Sequence, residues 1–167
     1  GYTAGCKVTG SYNSTFGNEA LRLTTTGTYN DAFGASAMYN NVDGGCNDAF
    51  GHAAQYGNTD GVHNVGMGYK VSYSNQSGDY NTAVGSHGLC NNNGGHCNVS
   101  FGYAAGRFLA DGSTALTSPD NSTYLGACTR GAAAGDSNVT VIGHCACACG
   151  DNTVSIGNSD VTANYFN

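Results

Sequence analysis

The chain has 167 residues, a formal net charge of −6, 27 Gly, one Pro, no Trp and 10% charged residues. Five Lys plus Arg give no basic stripe able to displace counterions from phosphates, which argues against nucleic-acid binding. No apolar run reaches the roughly 18–20 residues of a membrane-spanning helix, so no membrane insertion is expected.

The first residues, from Gly1 to Cys6, lack the basic and apolar regions of a signal peptide and begin in mid-pattern. The chain therefore reads as a processed product or an ordered piece of a longer polypeptide. Its Gly, Asn, Ser and Thr content would suit disorder, but Phe, Val, Leu and Tyr return at fixed spacing, which a disordered chain has no reason to keep.

From Gly10 a short block centred on Asn returns six times at a spacing of 17 residues, with Asn13, Asn30, Asn47, Asn64, Asn81 and Asn98 as centres. Each Asn has a Gly three residues before it and another four residues after it. Fixed-period self-similarity marks a stacked architecture in which each unit depends on its neighbours to bury its apolar face. The expectation is an all-β solenoid of 17-residue coils, each reading strand, turn, strand, turn, with regular coils over residues 1–110.

Aligning the blocks turns the sequence into rows of side chains running along the stack. Phe16, Phe33, Phe50, Met67, Val84 and Phe101 follow the Asn by three residues, and Tyr12, Tyr29, Cys46, His63, Tyr80 and Cys97 precede it by one. In an extended strand these two rows share a face. The opposite face is almost bare, with Thr15, Ala32, Ala49, Gly66, Ala83 and Ser100. A second small row, Ala20, Ala37, Ala54, Val71, Gly88 and Ala105, suits a return strand packed on the first. Asn41, Asn58, Asn75 and Asn92 share a register in which amides can form a ladder.

A roll filled only by Ala, Gly and Asn buries little apolar area, so a lone chain is expected to be poorly stable. The Phe/Met/Val row forms an apolar stripe that faces copies of itself. Three chains around one axis bury every stripe together, and a two-fold pair leaves more curvature to explain. Phe16, Phe33, Phe50, Met67, Val84 and Phe101 are thus the expected trimer core.

Past Gly112 the period fails. Residues 111–123 contain Pro119, the only Pro, and read as an inserted loop, where specificity commonly sits. The pattern resumes over residues 124–167 in altered register, with Val139-Thr-Val-Ile-Gly143 and Asn152-Thr-Val-Ser-Ile-Gly157.

This ending, together with Gly106-Arg-Phe-Leu-Ala-Asp-Gly-Ser-Thr and the Tyr-Asn-X-Ala-Phe-Gly repeats, resembles bacteriophage tail-fibre and tail-spike proteins, and is similar to the head repeats of trimeric autotransporter adhesins. The resemblance implies a left-handed parallel β-roll in a homotrimer. It implies a structural and host-attachment role in a virion tail, extracellular after release, with two identical chains, other tail components and a host cell-surface glycan or protein as partners. In that phage family a C-terminal chaperone domain commonly follows and then cleaves itself off. A bacterial surface adhesin or self-assembling extracellular filament at the cell surface is the alternative, and a polysaccharide depolymerase spike the third reading. The eight Cys depart from the family pattern, which tends to Ala, Ser or Asn there.

No nucleophile motif or phosphate-cradling loop stands out, so no catalytic residue is named and the chain reads as non-enzymatic. Asp31 and Asp48 share a register as a solvated column or a cation site, and the five His fall in scattered registers. Nine residues after the Asn stand Arg22, Tyr39, Tyr56, Tyr73, Cys90 and Arg107. Facing outward, these rings would suit stacking on sugars; facing a neighbouring chain, they are packing. Tyr39, Tyr56, Tyr73 and Pro119 are the receptor-binding candidates.

Cys46 and Cys97 share a register three repeats apart, roughly 14 Å at about 4.8 Å per coil, too far for a disulfide. Cys145, Cys147 and Cys149 alternate along one face and leave three readings open: small filler, interchain disulfides, or an axial site for Zn²⁺ or another thiophilic metal. No other cofactor is expected. Five Asn-X-Ser/Thr sequons occur, at Asn13, Asn75, Asn98, Asn121 and Asn138, a number close to chance in so Asn- and Ser-rich a chain.

Overall fold

The computed structural model describes residues 2–163. Residue 1 and residues 164–167, the outer ends of the first and last expected segments, lie outside the described residues. Nine three-residue strands form along the chain: β1 (Ser14–Phe16), β2 (Asp31–Phe33), β3 (Asp48–Phe50), β4 (Val65–Met67), β5 (Thr82–Val84), β6 (Val99–Phe101), β7 (Thr123–Leu125), β8 (Thr140–Ile142) and β9 (Val154–Ile156). They make one parallel sheet in sequence order. The chain is an all-β parallel solenoid, and among the described residues no helix is long and apolar enough to cross a membrane.

The register is that of the repeat. Ser14 pairs with Asp31, Asp31 with Asp48, and so on to Val99, each step 17 residues. The step from Val99 to Thr123 is 24 residues, from Thr123 to Thr140 17, and from Thr140 to Val154 14.

Two Asn ladders hold the coils together. Asn30 donates Nδ2 to the Gly44 carbonyl at 2.8 Å, while its backbone N–H donates to Asn13 Oδ1 at 2.9 Å; Asn47, Asn64, Asn81 and Asn98 repeat the pattern. Asn58, Asn75 and Asn92 form the second ladder, each donating to the side-chain oxygen of the Asn one coil earlier. Side-chain amides thereby satisfy backbone groups that a narrow coil turns inward, where an unpaired polar group costs about 1–3 kcal/mol. The ladders also absorb sequons: Asn75 and Asn98 are fully buried.

The expected return strand is not a strand. On that leg every second residue has positive φ: Ser36 and Met38 at +56° and +48°, Ala53 and Gln55 at +54° and +50°, Lys70 and Ser72 at +49° and +46°. Backbone hydrogen bonds still run between coils there, as from Met38 N to Ala54 O at 2.9 Å. The left-handed residues turn successive side chains the same way, so Ala37 and Met38 are both fully buried, which strand alternation forbids.

The core is therefore larger than Ala, Gly and Asn alone would give. Leu21, Met38, Gln55, Val71 and Leu89 fill it from the return leg. Their bulk is matched by small residues on the strand: a Cβ added to Gly66 would stand 3.1 Å from both Gln55 Cγ and Val71 Cγ1. The Gly after each strand is required by backbone approach. At Gly34, with φ +144°, a Cβ would stand 2.3 Å from the Gly51 carbonyl oxygen.

Candidate binding surfaces

The sheet's outer face carries three rows. The Phe row points away from the chain's own core: Phe16 is 70% exposed, Phe50 38% and Phe101 59%, with Phe33 and Met67 exposed and Val84 half-buried between them. Phe33 and Phe50 stack at 5.2 Å. Leu125, Ile142 and Ile156 continue the row to β9. An apolar strip thus runs unbroken along the stack, more than scattered surface apolar residues account for.

The Tyr/Cys/His row also points outward, but not as part of an extended strand. Tyr12, Tyr29, Cys46, His63, Tyr80 and Cys97 all have φ between +56° and +63°. The chain turns at this position, the next Asn points inward, and the strand begins one residue later. Tyr12 stacks on Tyr29 at 4.8 Å and His63 on Tyr80 at 5.1 Å. Asp31 and Asp48 stand between these rows, and partial burial first, then the neighbouring Asp31 charge, pushes the Asp48 carboxyl up.

The tyrosine ladder lies on the return leg. Tyr39 and Tyr56 stack at 5.1 Å, Tyr56 and Tyr73 at 5.0 Å, with interplanar angles of 14° and 8°. Both faces of Tyr56 are taken by its neighbours, so the row offers edges and hydroxyls and not open faces for a sugar ring. Partial burial, then the adjacent Tyr73 and Tyr39, push the Tyr56 phenol up. Arg22 closes one end, donating to Glu19 at 2.6 Å and to the Tyr39 hydroxyl at 3.0 Å.

At the other end Lys70 Nζ lies 5.4 Å from the Tyr73 ring centre and 5.5 Å from that of Tyr69. Between Tyr69 and Tyr103, edge-on to both, stands His87, its imidazole pushed down by burial and then by the Arg107 and Lys70 charges. The Cys90 thiol beside it is buried, which pushes it up despite the same two cations. Residue spacing does not flag Lys70 or His87, because the row six after the Asn mixes Glu19, Ser36, Ala53, Lys70, His87 and Ala104.

The excursion expected at residues 111–123 is shorter and earlier. Phe108 bridges Ala115 in antiparallel sense, Leu109 N donates to Thr114 O, and Leu116 is already back in the core. The tip is an Asp-Gly turn: Asp111 accepts from Ser113 N and Thr114 N at 2.8 Å each and from the Thr114 hydroxyl. These bonds, the Thr114 hydroxyl first, hold the Asp111 carboxyl at about 2. Pro119 is not in the loop. It is buried in the wall, its carbonyl accepting from Asn98 Nδ2 at 2.6 Å in the place held by Gly95 one coil earlier. It presents no side chain to a receptor.

Cys145, Cys147 and Cys149 point outward while Ala146 and Ala148 point into the core, so the alternation holds although the segment forms only one bridge, Arg130 to Cys147. Cys145 Sγ lies 3.4 Å from His144 Nε2. Cys128, at the same position one coil earlier, has its thiol pushed up by burial and then by Cys145. A cleft of about 550 Å³ opens beside them, lined by Arg130, His144, Cys145, Cys147 and residues 157–160. All eight Cys are free thiols, and no group of three or more His, Cys, Asp or Glu able to hold a metal comes together among the described residues. A ligand set built on Cys145, Cys147 and Cys149 would need thiols from other copies.

Comparison with family models, curated proteins and solved structures finds no match.

Proposed function

We propose that this chain is a non-enzymatic, rod-forming segment of a bacteriophage tail fibre, three copies of which wind left-handed and side by side to hold a cell-surface receptor contact at a distance from the virion. The carrying observation is the outward sheet face, where apolar residues stand exposed from Phe16 on β1 to Ile156 on β9. A solenoid with its own filled core has no folding need for such a strip, and its straight, axial course suits burial by parallel copies in register. The tail-fibre likeness of the repeats and of the ending adds the phage attachment role, with a host glycan or surface protein as target. The test has two parts. Purified protein is expected to have the mass of three chains in light scattering. It is also expected to compete with the parent phage for adsorption to host cells, and an inert monomer that leaves adsorption unchanged would reject the reading.

A further inference from the structure

The rows six and nine residues after the Asn hold Glu19 and Arg22 in the first coil, and there they form a closed ion pair at 2.6 Å. Three to five coils later the same two rows carry Lys70 and Arg107 with the acid gone. Lys70 has replaced the carboxylate with its opposite charge. Neither cation has a carboxylate within salt-bridge distance among the described residues, although the chain has 11 Asp plus Glu against five Lys plus Arg. Arg107 Nε is buried and has no hydrogen-bond partner, while its guanidinium lies over the Phe108 ring at 4.6 Å.

Lys70 and Arg107 stand on the coils either side of His87 and Cys90: Lys70 Nζ lies over Tyr69 and Tyr73 one coil before them, and Arg107 follows Tyr73 and Cys90 in the same row one coil after. Two like charges about two coils apart on one side of an acidic protein, neither paired with a carboxylate among the described residues, leave between them a place of positive potential that an anion can fill. Exposed Tyr69 and Tyr103 flank the spot. Tyr103 meets only the His87 ring, edge-on at 6.2 Å, and so keeps ring surface free of the self-stacking that closes Tyr56.

The geometry points to a site for an acidic saccharide, in which Lys70 and Arg107 bind a carboxylate or sulfate and Tyr103 takes the sugar ring. Arg supplies a planar fork for the oxyanion, Lys a compact second charge, and the aromatic rim an apolar surface for sugar C–H groups. The inference deepens the attachment reading above, resting on it only for the ligand being a glycan.

Binding of the purified chain to sulfated dextran, polygalacturonate and uncharged dextran, measured by isothermal titration calorimetry, tests it. Light scattering on the same sample reports separately on the trimer. Wild type is expected to bind one or both acidic polymers and not the neutral one, and the polymer bound names the anion. Loss of a charge-assisted hydrogen bond predicts about tenfold weaker binding for Lys70→Gln and for Arg107→Gln. Arg22→Gln, which removes the same charge from a neutralised pair, is expected to change affinity less than about twofold. No binding of either acidic polymer, undiminished binding in both Lys70→Gln and Arg107→Gln, or an equal loss in Arg22→Gln overturns the site whatever the oligomeric state.

Discussion

Coils β1–β6 and coils β7–β9 fill the same narrow interior in opposite ways. In the first region the strand contributes Ala32, Ala49, Gly66 and Ala83, and the return leg contributes Leu21, Met38, Gln55 and Leu89. In the second the strand contributes Tyr124 and Val141, and the return leg contracts to Thr129 and Ala146. The handover falls at Gly106, where an added Cβ would stand 2.9 Å from Tyr124 Cδ2 and 3.0 Å from Leu89 Cδ2. A solenoid of this bore conserves volume per layer, and neither leg is intrinsically the large one. The outward rows change as well, from Tyr and Phe to Asn121, Asn138 and Asn152 with Leu125, Ile142 and Ile156.

Breaking that handover should have the largest effect. Tyr124→Ala is expected to cost about 3–5 kcal/mol by urea denaturation, because the ring fills the space left by Gly106. Tyr124→Phe is expected to be nearly neutral or stabilising, since it removes a buried hydroxyl that has no partner. Gly106→Ala is expected to destabilise the wild type and to do so much less in the Tyr124→Ala background, a coupling of about 0.5–3 kcal/mol in a double-mutant cycle. Additivity of the two would show that they do not share a layer.

Next come the ladders, which differ between the regions. Asn64→Ala strands the Asn81 N–H inside the roll, at about 1–3 kcal/mol for a buried group left unpaired, and leaves the Gly78 carbonyl only the Asn75 amide as donor. Asn138, whose amide reaches only Asn152 Oδ1 at an exposed rim, is expected to cost less than about 1 kcal/mol on replacement by Ala. Equal losses in thermal denaturation would mean that the inner ladder is not what ties the coils.

Much of this was legible in the residues. The spacing of the Asn and Gly gave coil length and strand pairing without a slip, and the alignment of Asn41, Asn58, Asn75 and Asn92 identified the second ladder. The return leg was not legible, because positive φ at Met38, Gln55 or Lys70 leaves no mark in residue type; Gly and Asn announce such turns, and these residues do not. Pro119 misled for a related reason. A lone Pro reads as a loop, yet here it occupies a wall position where its carbonyl is used and no N–H is needed. The tyrosine row was visible as a row, but spacing cannot tell rings that stack on one another from rings open to a ligand.

The smallest effect is expected at the hairpin between the two regions. Its Asp111 is held at about 2, below the ordinary carboxylate value of about 3.9. Such a group stabilises the folded turn above the ordinary value and loses that contribution as pH falls toward 2. Amide exchange at Ser113 and Thr114 is expected to stay protected down to about pH 4 and to rise below it. Asp111→Asn should remove that dependence while leaving β6 and β7 paired. His87, also pushed down from its ordinary value of about 6.5, works in the same direction: its contribution is complete above that value and fades as pH falls below it.

The proposed trimer requires the exposed face from Phe16 to Phe101 to be covered by sister chains. Multi-angle light scattering of the purified protein, with Phe50→Asp as its partner sample, tests this most directly. The expectation is a wild-type mass of three times 16.9 kDa and a folded Phe50→Asp variant that falls to the single-chain mass. A wild type that is monodisperse at 16.9 kDa contradicts it.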